Sequence, residues 1–253
     1  MVTVDAVRVA AHAKLNLLLR ILAREAHGRG YHQIETAFAL LELADELVVR
    51  RAESGIALTV HGPDLGPPQA NLAVRAAQAV LEATGGRFGV TIELTKRIPA
   101  RAGLGGGSSD AAAALHAVNA LAGNVVPRYE LLQLGVRLGD RWWDELYPEP
   151  AARGPVVLDA GAFTGWGSVG RLGGNDFEIP VFGKHPALRD LYERLAQTHP
   201  LWVRLCGSGS AVAAVYANDR LRDDARLVLG EKHQQLMSTL TRATAAPGPE
   251  PLP

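Results

Sequence analysis

The run Lys96-Arg97-Ile98-Pro99-Ala100-Arg101-Ala102-Gly103-Leu104-Gly105-Gly106-Gly107-Ser108-Ser109-Asp110 joins a strand pattern to a helix pattern. Upstream, Val90, Ile92 and Leu94 alternate with Thr91, Glu93 and Thr95, which predicts a strand over residues 88–94. Downstream, Ser108, Ser109 and Asp110 offer capping side chains to an Ala/Leu-rich helix expected over residues 111–121 and closed by Gly123. Between them, four of the five residues 103–107 are glycine. Without Cβ atoms the backbone can take positive φ and come close to a ligand. The first N–H groups of a helix lack partners and sit at the positive end of its dipole, so this turn predicts a phosphate site. A P-loop needs a Gly-Lys-Ser/Thr ending, and no lysine is present; a dinucleotide fingerprint needs a third glycine where Ser108 stands.

Outward from the turn, residues 7–22 read as extended, with Leu15, Leu17 and Leu19 facing one way and Lys14, Asn16 and Arg20 the other. Lys14 and Asn16 thus share a face and suit the orientation of a substrate hydroxyl. A turn-rich break covers residues 27–30, followed by Tyr31 and His32, an aromatic beside an imidazole that suits a nucleobase. Further strands are expected at residues 34–43, 56–60 and 156–158. Asn71 caps a predicted helix over residues 72–84 that stops at Gly85, and another helix is expected over residues 129–138. Pro186 starts a helix with Leu188, Leu191 and Leu195 on its core stripe. Strands at residues 202–205 and 211–216 flank a second Gly/Ser turn, and residues 219–240 read as one or two helices. Four prolines in the last seven residues predict a disordered tail. Strands and helices interleave in both halves without a clean βαβ series, which predicts α+β structure. The expected organisation is a domain over residues 1–150, a second over 151–242 and a tail over 243–253.

The 253 residues are 47% apolar and 21% charged with formal net charge zero, ordinary for a globular protein. The arginines are scattered, so neither nucleic acid nor a membrane surface is expected as partner. A single cysteine, Cys206, excludes an internal disulfide and fits a cytoplasmic location. No signal peptide and no apolar run long enough to span a bilayer is read. The histidines show no metal-ligand spacing, so no structural metal is expected.

Three segments, in order, resemble the galactokinase, homoserine kinase, mevalonate kinase and phosphomevalonate kinase (GHMP) superfamily. They are Ala13-Lys14-Leu15-Asn16-Leu17, the run from Pro99 to Ser109, and Cys206-Gly207-Ser208-Gly209-Ser210-Ala211. Gly30-Tyr31-His32-Gln33-Ile34-Glu35-Thr36, the run from Gly105 to Ala112 and Asn175-Asp176-Phe177-Glu178 make the chain most similar to one branch of it. That branch phosphorylates the 2-hydroxyl of cytidine diphosphate-linked methylerythritol in the non-mevalonate isoprenoid pathway. The resemblance implies two α+β domains, the first ribosomal-protein-S5-domain-2-like and the second a ferredoxin-like α/β sandwich. It implies ATP and Mg²⁺, a small-molecule substrate, and a monomer or weak homodimer. It implies ATP phosphates on Pro99, Gly103, Leu104, Gly105, Gly106, Gly107, Ser108 and Ser109. Tyr31, His32 and Lys96 would hold the cytidine end, Lys14 and Asn16 the reacting hydroxyl, and Gly207 and Ser208 the substrate phosphates. The superfamily branch carries a catalytic aspartate in a Leu-Gly-Ala-Asp-Val-Pro segment. Here the residues are Leu138-Gly139-Asp140-Arg141-Trp142-Trp143-Asp144, lacking the alanine and the Val-Pro run. A one-residue deletion aligns Asp140 as base; ungapped alignment puts Arg141 there, and Asp144 is a third choice. The resemblance also admits a mevalonate- or homoserine-type kinase, or a nucleotide-binding homologue with impaired catalysis.

Overall fold

Strands in globular proteins usually run five or six residues; the first two here are three to four times that length, and this organises the molecule. The computed structural model describes residues 4–24, 32–138, 165–233, 235–240 and 248–252. β1 (Ala6–Arg24) and β2 (His32–Ala52) pair antiparallel along their length. β2 continues to β4 (Gly89–Thr95), which pairs in parallel with β3 (Ile56–His61). A parallel pair needs a crossover, and α1 (Leu72–Ala83) supplies it. Asn71 caps this helix, accepting from Ala73 N at 2.9 Å as expected. α1 and α2 (Gly106–Leu121) pack on the sheet through a shared cluster that includes Ala76, Ala77, Val80, Ala114, Ala117 and Val118. α3 (Arg128–Arg137) closes this half, where Leu131 joins the same core.

The second half holds α4 (Trp166–Leu172), α5 (Glu178–Lys184) and α6 (Pro186–Ala196). The antiparallel pair of β5 (Trp202–Leu205) and β6 (Val212–Val215) follows, then α7 (Asp219–Leu229). Its core is built partly from β1: Leu19 and Ile21 pack with Phe177, Val181 and Leu205. Leu19 N donates to Gly174 O at 2.7 Å and Asp176 N to Leu19 O at 3.0 Å, so the distal part of β1 is paired to the second half as well. The architecture is α+β, with one long strand common to both halves.

Three expectations need correction. The alternation of Leu15, Leu17 and Leu19 is broken by a register shift between Asn16 and Leu18. An extra residue re-aims the chain, so Leu18 and Leu19 are both buried and Leu17 only half-buried. The helix expected to reach residue 240 ends at Leu229, where Gly230 takes φ +67°. Beyond it the chain lies beside β2, with Glu42 N donating to Thr239 O at 2.8 Å. The proline-rich end is not wholly irregular either. β7 (Glu250–Pro251) pairs with Val7 and Arg8 on the edge of β1, where prolines are tolerated. The turn expected at residues 27–30, the strand at 156–158 and the boundary near 150 lie outside the described residues.

Phe177 is fully buried between β1 and α5. Phe177→Ala is expected to lower the unfolding free energy by about 3–5 kcal/mol in denaturant titration. A loss under about 1 kcal/mol would show that this junction does not hold the halves together.

Candidate phosphate and hydroxyl site

α2 begins earlier than its composition suggests. It starts at Gly106, and its N-cap is Gly105 with φ +77° and no side-chain cap. Ser108, Ser109 and Asp110 are therefore inside the first turns and do not cap them. Glycine is favoured there by the positive φ of Gly105 and by close neighbours. A Cβ on Gly105 would stand 3.1 Å from Lys14 Cε, and one on Gly106 3.3 Å from Lys96 Nζ and 3.0 Å from Ile98 Cγ2. The early start leaves the helix N–H groups open to an anion, with no side chain competing for them. Among the described residues, the Ser108 and Ser109 hydroxyls make no hydrogen bond.

The second glycine turn closes on the first. A Cβ on Gly103 would lie 1.7 Å from Cys206 O, a contact no side chain survives. Ser210 N donates to Arg101 O at 3.1 Å and Ala211 N to Ala102 O at 3.2 Å. Asn175 fixes the second turn from beneath, its Nδ2 donating to Leu205 O at 2.9 Å and to Gly207 O. Its Oδ1 accepts from Phe177 N at 3.0 Å, so this buried amide is satisfied on both sides. Asp176 accepts from Ile21 N at 2.7 Å. Asn175 and Asp176 thus belong to the site's frame. Read as sequence they entered as part of a resemblance and were given no role; a polar pair opening the turn before Phe177 was the available signal.

Lys14 enters this junction from β1. Its backbone N donates to Leu104 O at 3.0 Å and its Nζ to Gly103 O at 2.7 Å and to Asn16 Oδ1. Asn16 Nδ2 in turn donates to Thr36 Oγ1 at 2.9 Å, and Thr36 donates to Leu18 O at 2.8 Å, which fixes the amide orientation. Burial lowers the Lys14 pKa, opposed by the nearby Cys206 sulfur. Burial pushes the Cys206 thiol up to about 12, against the pull of Lys14, so it stays protonated and packs as a small apolar group. An ammonium has three donors, and two are used here, leaving one for a ligand.

Lys96, which the resemblance implies at the cytidine end, sits in a buried ion cluster. Its side chain is 4% exposed and its Nζ donates to Asp45 Oδ2 and, at 2.7 Å, to Asp110 Oδ2. Asp45 Oδ1 also accepts from Arg97 N and, at 2.8 Å, from Ile98 N. Burial alone would lower the Lys96 pKa, but the two carboxylates outweigh it and the net shift is upward. Burial raises Asp110 to about 7, with Lys96 pulling it down and Asp45 pushing it up.

Of the residues singled out in sequence, the structure brings together Lys14, Asn16, Gly103, Leu104, Gly105, Gly106 and Gly207. Pro99 and Ser208 flank them, half-buried. His32 lies on β2, while Tyr31, Asp140, Arg141 and Asp144 lie outside the described residues. Asp45 was not anticipated, and Thr36 was named only within the resemblance, without a role.

Comparison with known proteins places the chain in a family. The model of the GHMP kinases N terminal domain matches residues 71–142 and that of the GHMP kinases C terminal matches residues 160–235. A 4-diphosphocytidyl-2-C-methyl-D-erythritol kinase of Chlorobaculum tepidum is 34% identical over 82% of this chain and 88% of its own length. A protein of the same name from Chromobacterium violaceum is 31% identical over 88% of this chain and 91% of its own length. One from Alkalilimnicola ehrlichii is 46% identical, over 51% of this chain and 44% of that protein; against this relative the matched stretch is under half its length. A crystal structure of 4-(cytidine 5'-diphospho)-2C-methyl-D-erythritol kinase superposes with a TM-score of 0.66 at 32% identity, covering 88% of this chain and 94% of that chain.

Two outcomes follow from the packing. Gly103→Ala forces a clash and a strained φ at once, and is expected to cost more than about 3 kcal/mol of stability in chemical denaturation; a variant as stable as wild type would show that the two turns do not meet as described. Asp110 carries a raised pKa, so the native state keeps a proton that the unfolded chain loses above about pH 4, and stability falls as pH rises toward about 7. Lys96, shifted upward, stays charged throughout and adds no slope. Asp110→Asn lacks the proton, so its melting temperature relative to wild type should be higher near pH 8 than near pH 5. Parallel pH profiles for the two proteins would contradict this assignment.

Proposed function

The chain belongs to the GHMP kinases and, within them, to the family of the 4-diphosphocytidyl-2-C-methyl-D-erythritol kinases, and from that membership we propose that it transfers the γ-phosphate of ATP to the 2-hydroxyl of 4-diphosphocytidyl-2-C-methyl-D-erythritol. The observation that carries this reading is the meeting of Lys14, at Gly103 O, with the glycine turn that leads into the open N-terminus of α2. A cation with one free donor then stands beside a helix terminus that favours phosphate oxygens. In the transfer, a bond forms between the substrate oxygen and the γ-phosphorus while the bond from that phosphorus to the β–γ bridging oxygen breaks, releasing ADP. Phosphoryl transfer rests mostly on positioning and charge stabilisation.

The roles follow from the donors available. The N–H groups at Gly106 and Gly107 and the hydroxyls of Ser108 and Ser109 bind ATP phosphate oxygens, with Pro99 and Leu104 shaping the turn. Lys14 stabilises charge developing on the transferred group, and Asn16, fixed by Thr36, orients the reacting hydroxyl. In this reading Gly207 and Ser208 bind the substrate's phosphates, and Tyr31 and His32 bind its cytidine. Asp140 takes the proton from the 2-hydroxyl. Mg²⁺ fits the donor set, since the two serine hydroxyls have no partner among the described residues, and when bound it would neutralise phosphate charge. The reading keeps domains at residues 1–150 and 151–242, a monomer or weak homodimer, and a cytoplasmic setting. Among the described residues, no helix is long and apolar enough to cross a membrane.

ADP release should appear when ATP and 4-diphosphocytidyl-2-C-methyl-D-erythritol are both present, and not with mevalonate or homoserine. ATP bound without transfer to any of the three would sink the activity. Asp140→Ala should lower kcat by about 10²- to 10⁴-fold; unchanged turnover would remove Asp140 as the base.

A further inference from the structure

Three core patterns each carry one charged residue in the buried phase. On β2, Asp45 is in step with Leu47 and Val49, both 0% exposed. At the exit of β4, Lys96 continues the phase of Ile92 and Leu94. On α2, Asp110 lies on the buried stripe with Ala113, Ala114 and Ala117. The three meet at one ammonium, with side chains 4%, 0% and 3% exposed.

We propose that Lys96, clasped by Asp45 and Asp110, is a positioning residue for the nucleotide phosphates and is not a ligand of the cytidine-linked substrate. It rests on the kinase reading above and assigns a role within that site. The ammonium sits under the first residue of α2, where a Cβ on Gly106 would meet Lys96 Nζ at 3.3 Å. Asp45 ties the same point to β2 and to the backbone of Arg97 and Ile98. The helix terminus that receives phosphate therefore cannot shift toward the sheet or swing away from it. A lysine so enclosed, with two carboxylates on it, has no exposed charge to offer a nucleobase.

A role in stability alone fits poorly. Buried ion clusters are often matched or bettered by apolar side chains of similar volume. This cluster also leaves Asp110 Oδ1 buried without a partner among the described residues, an unfavourable feature. What the cluster supplies is direction: three elements are fixed to one point within hydrogen-bond tolerance of the phosphate turn. Such tolerance matters, because displacing reacting groups by about 1 Å costs about 100-fold in rate.

The test uses full-length wild type, Lys96→Met and Lys96→Met/Asp110→Asn. The double variant guards against misfolding, since it leaves one buried carboxylate, Asp45, which keeps two backbone N–H donors. Binding of a non-hydrolysable ATP analogue is measured by calorimetry, together with KM for the alcohol substrate and melting temperature. Analogue binding should weaken by about 10- to 100-fold, while KM for the alcohol stays within about twofold. A folded variant that binds the analogue like wild type overturns the proposal, even if its melting temperature falls. A rise confined to the alcohol KM also overturns it and returns Lys96 to the substrate. Wild type that binds no analogue overturns the kinase reading itself, a result distinct from loss of the Lys96 role alone.

Discussion

One backbone turn is pressed from three sides, and the rest of the structure depends on it. Gly103 lies against the carbonyl of Cys206, Gly105 against the stem of Lys14, and Gly106 against Lys96 and Ile98. Each contact comes from a different element: the loop after β5, the strand β1 and the exit of β4. A methyl group at any of the three would push one of these away. The glycines are therefore needed less for flexibility than for thinness, and Gly103 and Gly105 also hold positive φ. The long β1 follows from the same constraint. It must reach from the first sheet, where it carries Val7 and Val9 in the main core, to the second half, where Leu19 and Ile21 are buried. Lys14 sits between those two regions.

The two lysines at this turn are treated in opposite ways, and the difference defines the site. Lys96 is over-balanced, one ammonium facing two carboxylates. Lys14 has neutral partners only among the described residues, a carbonyl and an amide oxygen. Its charge is desolvated but not cancelled, and that is the condition under which a cation attracts an incoming phosphate strongly. The helix terminus adds to the same field. Buried Cys206 does not compete for that charge, because its thiol stays neutral. An anion would thus find one uncompensated cation and one set of open N–H groups on the same turn.

Much of this was legible in the sequence because glycine is a strong punctuation mark. Residues 103–107 announced a close approach, and the period of two placed Lys14 and Asn16 on one face. What misled was capping logic. Ser108, Ser109 and Asp110 are good caps by residue type, yet the cap is Gly105, whose positive φ suits glycine and which lies close against the stem of Lys14. Lys96 was placed at the substrate only through the family resemblance. Its phase with Ile92 and Leu94 pointed inward, and the matching phase of Asp45 and Asp110 named its partners, but that match needs the strand pairing. The register shift after Asn16 was invisible, as nothing in a run of leucines marks which residue is extra. The pairing of Leu240 and of residues 250–251 was hidden for a related reason: β-pairing at an edge depends on what lies beside it, not on propensity.

The ties that close the site are mostly backbone to backbone. Lys14 pairs with Leu104, Ser210 with Arg101, Ala211 with Ala102, and Cys206 with Ala211. Two side chains add to them: Lys14 Nζ bonds Gly103 O, and Asn175 bridges Leu205 and Gly207 to the segment that pairs with β1. Such a frame constrains side-chain size at the contacts and leaves identity elsewhere free. The result separates two demands. On the proposed reading, holding phosphate is set by where the main chain can pass, which glycine controls, and choosing the alcohol falls to side chains carried on β1, β2 and the second turn. A chain can therefore diverge in substrate groups while the phosphate turn stays fixed by packing.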